Sequence, residues 1–211
     1  MSIPGFNAVI DISHHNTITN WQSVVNDGVV AVVHKATEGR DYRDKEYHGR
    51  KQKAADVGLL WGSYHFSSST NPLLQVENYL SYADPQPGEL ICLDYEPSSS
   101  GTNMSYDQIV EFVELIHKEL GRYPVIYGGH LLREATRNVT NSILSKCPLW
   151  YARYASAPFG VPSLWQDWSL WQYTDGNIGQ QPHKVRGIGN TDRDTFNGAD
   201  GTALRTAWPL S

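Results

Sequence analysis

Short apolar runs alternate with segments of helical period from the first ten residues to about residue 150, and this alternation limits the possible folds more than any other feature. A strand followed by a helix can return to its sheet only by a crossover, so the pattern predicts β/α units laid side by side in a parallel sheet. Candidate strands cover residues 8–13, 29–33, 59–66, 89–96 and 125–129, each followed by a helical segment. Two of the helices announce their own starts. Asn71-Pro72 reads as a cap with proline in the first turn, and Val76, Tyr79, Leu80 and Ala83 share one face. Ser105-Tyr106-Asp107-Gln108 has capping-box spacing, Ile109, Phe112, Val113, Ile116 and Leu120 recur at helical intervals, and Gly121 ends the segment.

After residue 148 the rhythm changes: residues 149–154, 169–174 and 191–196 read as strands with little helix between them. Five strands with helices and three without fit an irregular TIM-like α/β barrel better than an open doubly wound sheet. A chain of 211 residues has enough core material for such a barrel. No linker or internal repeat interrupts it, so a single domain over residues 1–211 is expected.

Charge narrows the partners. Lys and Arg number 17 against 22 Asp and Glu, a net charge of −5, which is the reverse of the basic footprint that nucleic-acid binding needs. Met1-Ser2-Ile3-Pro4-Gly5 has no basic, apolar leader character, and no segment reads as membrane-inserting. Cys92 and Cys147 read as free thiols. The 7 Trp, 12 Tyr and 5 Phe supply flat apolar faces with polar tips, which suit either a barrel wall or the rings of a carbohydrate.

In a parallel barrel the reactive groups sit where strands end, so polar residues that terminate apolar runs deserve the closest reading. Val9-Ile10-Asp11-Ile12-Ser13 places a carboxylate in an apolar strand. Leu90-Ile91-Cys92-Leu93-Asp94-Tyr95-Glu96 places two, and strand alternation turns Asp94 and Glu96 to one side with backbones ~6.6 Å apart. Two carboxylates this close in a partly dry mouth do not both ionise freely, so one of them takes a raised pKa and can act as an acid. Asp192 opens the last strand, so four carboxylates are candidates for one barrel mouth.

These segments resemble the glycoside hydrolase family 25 lysozymes. The likeness runs through Asp11-Ile12-Ser13-His14-His15, Lys35-Ala36-Thr37-Glu38-Gly39, Tyr64-His65-Phe66, Leu93-Asp94-Tyr95-Glu96, Ile126-Tyr127-Gly128, Leu149-Trp150-Tyr151-Ala152-Arg153-Tyr154 and Leu170-Trp171-Gln172-Tyr173, seven motifs in the family's order. The resemblance implies cleavage of the β-1,4 bond between N-acetylmuramic acid and N-acetylglucosamine in peptidoglycan with retained configuration. It implies Glu96 as general acid and base and Asp94 as the second essential carboxylate, with Asp11 and Asp192 lining the same mouth. Asp94 either stabilises an intermediate formed by the substrate's own 2-acetamido group or attacks directly. Lys35, Glu38, Tyr64, Tyr127 and Trp171 match positions near the family's cleft. Asn16, where the family often has Gln, and Asp192-Arg193-Asp194, where it often has Asp-x-Asn, depart from the pattern.

Other chemistries fit less well. His14 and His15, as neighbours on an extended strand, would point to opposite faces and not share a metal, so neither metal nor cofactor is expected. No Gly-x-Ser-x-Gly elbow is present. A chitinase-like hydrolase would want another Asp at the position of Cys92, and a non-catalytic glycan-binding module would not need Asp94 and Glu96 intact. The expected partner is the peptidoglycan glycan strand. The expected state is a monomer without a separate wall-binding domain, made in the cytoplasm and acting on the cell wall.

Overall fold

The computed structural model describes residues 3–98 and 101–210; Met1 and Ser2, which open the stretch read for a leader, lie outside them. Eight strands form the barrel: β1 (Phe6–Ile12), β2 (Ala31–Glu38), β3 (Leu60–Phe66), β4 (Leu90–Asp94), β5 (Val125–Gly128), β6 (Leu149–Ala152), β7 (Leu170–Thr174) and β8 (Asp192–Phe196). From β1 to β7 each strand is parallel to the next. β8 then runs antiparallel to both β7 and β1 and closes the ring. The expected irregular barrel is the observed one. β2 runs five residues past its expected end, whereas β4 stops at Asp94, two residues before Glu96.

Helices α1 (Trp21–Asn26), α2 (Tyr47–Asp56), α3 (Pro72–Ala83), α4 (Tyr106–Leu120), α5 (His130–Ala135) and α6 (Gly201–Ala207) cover the outside. The start signals act as read. The Asn71 side chain accepts from the amides of Leu73 and Leu74, and Ser105 and Gln108 form a reciprocal capping box. Gly121 ends α4 in the left-handed region at φ 69°, where a Cβ would be strained. Ile109, Phe112, Val113 and Ile116 are the buried face of α4.

Period-two alternation divides the strand residues into two cores. Ala31, Val33, Leu90, Cys92, Val125, Trp150, Leu170 and Phe196 fill the barrel, while Ile10, Ile12, Val32, Ile91, Leu93, Ile126, Tyr151, Trp171 and Tyr173 belong to the outer layer. Strands buried on both faces explain why the sequence shows continuous apolar runs rather than alternation. Gly62 marks how narrow the interior is: a Cβ there would lie 2.9 Å from Cβ of Leu90. Cys92 and Cys147 are both buried and free. Among the described residues no helix is long and apolar enough to cross a membrane.

The reversal of β8 sets up the site. A strand running parallel to the others would deliver its first residue to the far end of the barrel, but β8 runs the other way, and Asp192 pairs with Asp11 of β1. The opening residue of the last strand therefore arrives where the parallel strands finish.

Candidate active site

At that end lies a cavity of about 200 Å³. Asp11, Asp94, Glu96 and Asp192 all line it, together with Lys35, Tyr64 and Tyr127. Asp94 ends β4, paired with Phe66 on one side and Tyr127 on the other. Beyond it the Tyr95 amide donates to the Tyr127 carbonyl, and the Tyr95 hydroxyl donates to the Met104 carbonyl at 3.1 Å. These bonds hold Tyr95 in the outer layer and return Glu96 to the cavity, so the two acids share a side although the regular strand has ended.

The carboxylates are unequal. Asp94 is 5% exposed and its Oδ1 has no hydrogen-bond partner. Burial, and then the nearby Glu96, hold Asp94 well above the usual carboxylate range, with Lys35 acting against both. Glu96 is half-buried. Burial raises its pKa too, opposed by the Tyr127 hydroxyl and by Lys35. Asp11 is raised by burial and by Asp192 and Asp194, and lowered by a hydrogen bond from Gln172. Asp192 is pushed up to about 7, chiefly by burial, with Asp175 and Glu96 adding to it.

A carboxyl group whose pKa is higher in the folded chain than in the unfolded one binds more protons when folded. Its contribution to stability is complete below the unfolded value, near 4, and disappears as the pH rises through the folded value. For Asp192 that window runs from about 4 to about 7. The melting temperature is therefore expected to fall between pH 5 and pH 8, and to fall less in D192N. Calorimetric scans of the two proteins across this range check it, and identical pH slopes would refute the assignment.

The candidate sugar-binding residues divide. Lys35 reaches the cavity with Nζ 2.5 Å from Glu38, over the rings of Phe66 and Tyr42 at 4.8 and 5.2 Å. Glu38 does not line the cavity and bears on it through Lys35. Tyr64 and Tyr127 face inward. Trp171 corrects the expectation: it is 0% exposed, packs beside Trp168 and Tyr173 in the outer layer, and donates its indole N–H to the Arg153 carbonyl at 2.7 Å. Its neighbour Gln172 occupies the inward position.

Gln172 is the main residue the sequence reading missed. Only 2% exposed, it accepts the Tyr127 hydroxyl at 2.7 Å and the Tyr154 hydroxyl at 2.8 Å through Oε1, and donates from Nε2 to Asp11 at 2.8 Å. Asp194 was also missed. It lies one inward step below Asp192, fully buried, with Oδ1 accepting the Trp150 indole N–H at 2.6 Å. Alternation along Asp192-Arg193-Asp194 was the signal for it.

The histidines follow the local backbone. His14 and His15 do not diverge as expected, because β1 ends at Ile12 and a turn closes from Ser13 to Asn16, which brings their rings to 3.9 Å. His14 instead pairs with Asp44 at 3.0 Å. His65 is a buried wall residue between Thr37 and Gln75. Among the described residues no cluster of three or more His, Cys, Asp or Glu is placed to hold a metal ion.

A half-buried glutamate whose proton is held tightly, next to a buried aspartate and open to a groove, is equipped to hand a proton to a leaving oxygen and take one back from water. That places the chain among the barrel glycosidases. The model of the family "Glycosyl hydrolases family 25" matches residues 10–180, and the chain belongs to that family. It is similar to Lysozyme M1 of Streptomyces globisporus, 28% identical over 94% of this chain and 70% of that protein. It is also similar to the N,O-diacetylmuramidase of a Chalaropsis species, 27% identical over 78% and 86%. Among solved structures, a bacterial lysozyme from Streptomyces coelicolor superposes with a TM-score of 0.83 at 29% identity, covering 98% of this chain and 97% of its own. A family GH25 lysozyme from Aspergillus fumigatus gives 0.78 at 29% identity, covering 95% and 97%.

Proposed function

We propose that the chain is a peptidoglycan muramidase that cleaves the β-1,4 bond following N-acetylmuramic acid with retained configuration, with Glu96 as general acid and then base. The observation that carries this reading is the pairing of Glu96 with Asp94, whose Oδ1 is buried, unpartnered and at the cavity. An unpartnered buried oxygen is costly unless something donates to it. The amide N–H of a 2-acetamido group on the sugar at the cleavage point is such a donor.

The chemistry follows from these two groups. Burial favours neutral Asp94 in the free site, and an N–H donated to Oδ1 favours its ionised form, so bound substrate draws Asp94 toward the carboxylate while Glu96 keeps its proton. Glu96 gives that proton to the glycosidic oxygen as the bond from that oxygen to C1 breaks. The acetamido carbonyl oxygen bonds to C1 from the opposite face, with Asp94 orienting the amide and balancing its positive charge. Ionised Glu96 then takes a proton from water, whose oxygen attacks C1, releases the acetamido group and leaves the original configuration. Asp11, Asp192, Lys35, Tyr64 and Tyr127 shape the groove around these groups. The barrel of residues 3–210 is the catalytic domain, and its place of action is the bacterial cell wall.

Digestion of purified peptidoglycan, reduction of the products and mass spectrometry test the bond specificity. Fragments ending in reduced N-acetylmuramic acid are expected. Fragments ending in reduced N-acetylglucosamine, or free peptides, would overturn the reading.

A further inference from the structure

The bonds around Gln172 contain a constraint on the Glu96 proton. Tyr127 has one hydroxyl hydrogen and two candidate acceptors: Oε1 of Gln172 at 2.7 Å and Oε1 of Glu96 at 3.3 Å. A phenol donating to a carboxylate makes a short bond, typically about 2.5–2.7 Å, so at 3.3 Å from Glu96 and 2.7 Å from Gln172 the hydrogen lies toward the amide, and the Tyr127 hydroxyl lowers the Glu96 pKa only when it turns from Gln172. The hydrogen-bond network orients the amide: Nε2 donates to Asp11 at 2.8 Å, which leaves Oε1 to accept both tyrosine hydroxyls.

We propose that Gln172 is a positioning residue: by accepting the Tyr127 hydrogen it presents Glu96 with a phenolic lone pair, which favours the proton-bearing Glu96 that the first step requires. This rests on the assignment of Glu96 as general acid. Once Glu96 has given up its proton, the carboxylate competes with the amide for the Tyr127 hydrogen. Gln172 then keeps Tyr154, and Tyr127 turns to stabilise the ionised Glu96 for the length of the intermediate. One hydroxyl thus serves both halves of the cycle, and the amide biases its resting direction. The other groups bearing on Glu96 are Asp94 from β4, Lys35 from β2, Asp192 from β8, Asp11 from β1, Tyr64 from β3 and Tyr154 after β6; a substitution at 127 leaves all six in place, whereas one at 172 also removes the partner of Asp11 and of Tyr154, and the double variant separates that effect from the one through Tyr127.

The test is the alkaline limb of the kcat/KM profile against pH on solubilised peptidoglycan. Q172M keeps the volume and removes the carbonyl acceptor, so the Tyr127 hydrogen settles on Glu96 and the limb is expected about one pH unit lower. Y127F removes both the lone pair and the donor, so its limb is expected above that of Q172M, where the freed hydroxyl donates to Glu96. Q172M/Y127F is expected to match Y127F, because the effect of Gln172 on Glu96 runs through that hydroxyl, and any shift that persists in the double variant comes through Asp11 or Tyr154. A limb unmoved in Q172M, a Y127F limb at or below that of Q172M, or a double variant whose limb lies below that of Y127F each overturns the proposal. A residue that merely supported the wall would lower kcat with the limb in place. If Q172M does not fold by circular dichroism, Q172L, which also removes the acceptor, takes its place with the same expected shift. E96Q is assayed alongside: an active E96Q would refute the acid assignment, whereas an inactive E96Q with unmoved limbs refutes only the role of Gln172.

Discussion

Replacing Glu96 with Gln is expected to lower turnover on peptidoglycan by about 10³-fold or more, with substrate binding retained. The amide preserves the size of the side chain and its reach toward Tyr127, but it has no proton to give the leaving oxygen and no charge with which to activate water. Because the group serves in both steps, neither half of the cycle is spared. Release of reducing ends and sedimentation with insoluble wall material measure the two quantities separately. Turnover within tenfold of the unsubstituted protein would remove Glu96 from the chemistry. Equal inertness of both proteins, with binding intact, would make the barrel a glycan-binding module.

Asp94→Asn is expected to lower turnover by about 10²–10³-fold, the scale associated with losing one preorganised electrostatic partner of a developing charge. It should affect stability in the other direction. Burial and Glu96 raise Asp94 well above the usual carboxylate range, so its contribution to stability is present at low pH and lost as pH rises. Asn has no such dependence. The melting temperature of D94N minus that of the parent is therefore expected to grow from pH 4 to pH 8. A variant less active but with a constant difference would show that Asp94 is not held in the strained ionisation that the cavity implies. Undiminished turnover would exclude it from the mechanism.

The barrel was legible because its strands are buried on both faces and its helices carry local signals. Asn71, Ser105 and Gly121 do their capping work within a few residues, which a linear reading can see. Burial on both faces also caused the error at Trp171. In Leu170-Trp171-Gln172-Tyr173 the large apolar rings and the polar amide alternate, but nothing local says which face meets the cavity, since the outer face is buried, by Trp168 among others, as fully as the inner one. An aromatic looked like the sugar contact, and the inward residue was the glutamine beside it. Asp192 was read at the right mouth without the reason, which is the antiparallel course of β8. The pairing of His14 with His15 depended on β1 ending at Ile12, and strand ends are set by tertiary contacts rather than by propensity.

The reversed last strand also sets a timetable for the chain. β1 finds one of its two neighbours, β2, within the next few dozen residues, but the other, β8, is made some 180 positions later, as in the pairing of Asp11 with Asp192. Closing so long a loop is slow and entropically expensive, and a chain emerging from the ribosome cannot begin it until Asp192–Phe196 has been made. Glu96 and Asp94 exist on the nascent chain long before that, without the wall that dries their surroundings. Until β8 has been made the barrel stays open beside the two acids, and the hydrolytic hazard arises only as the ring closes.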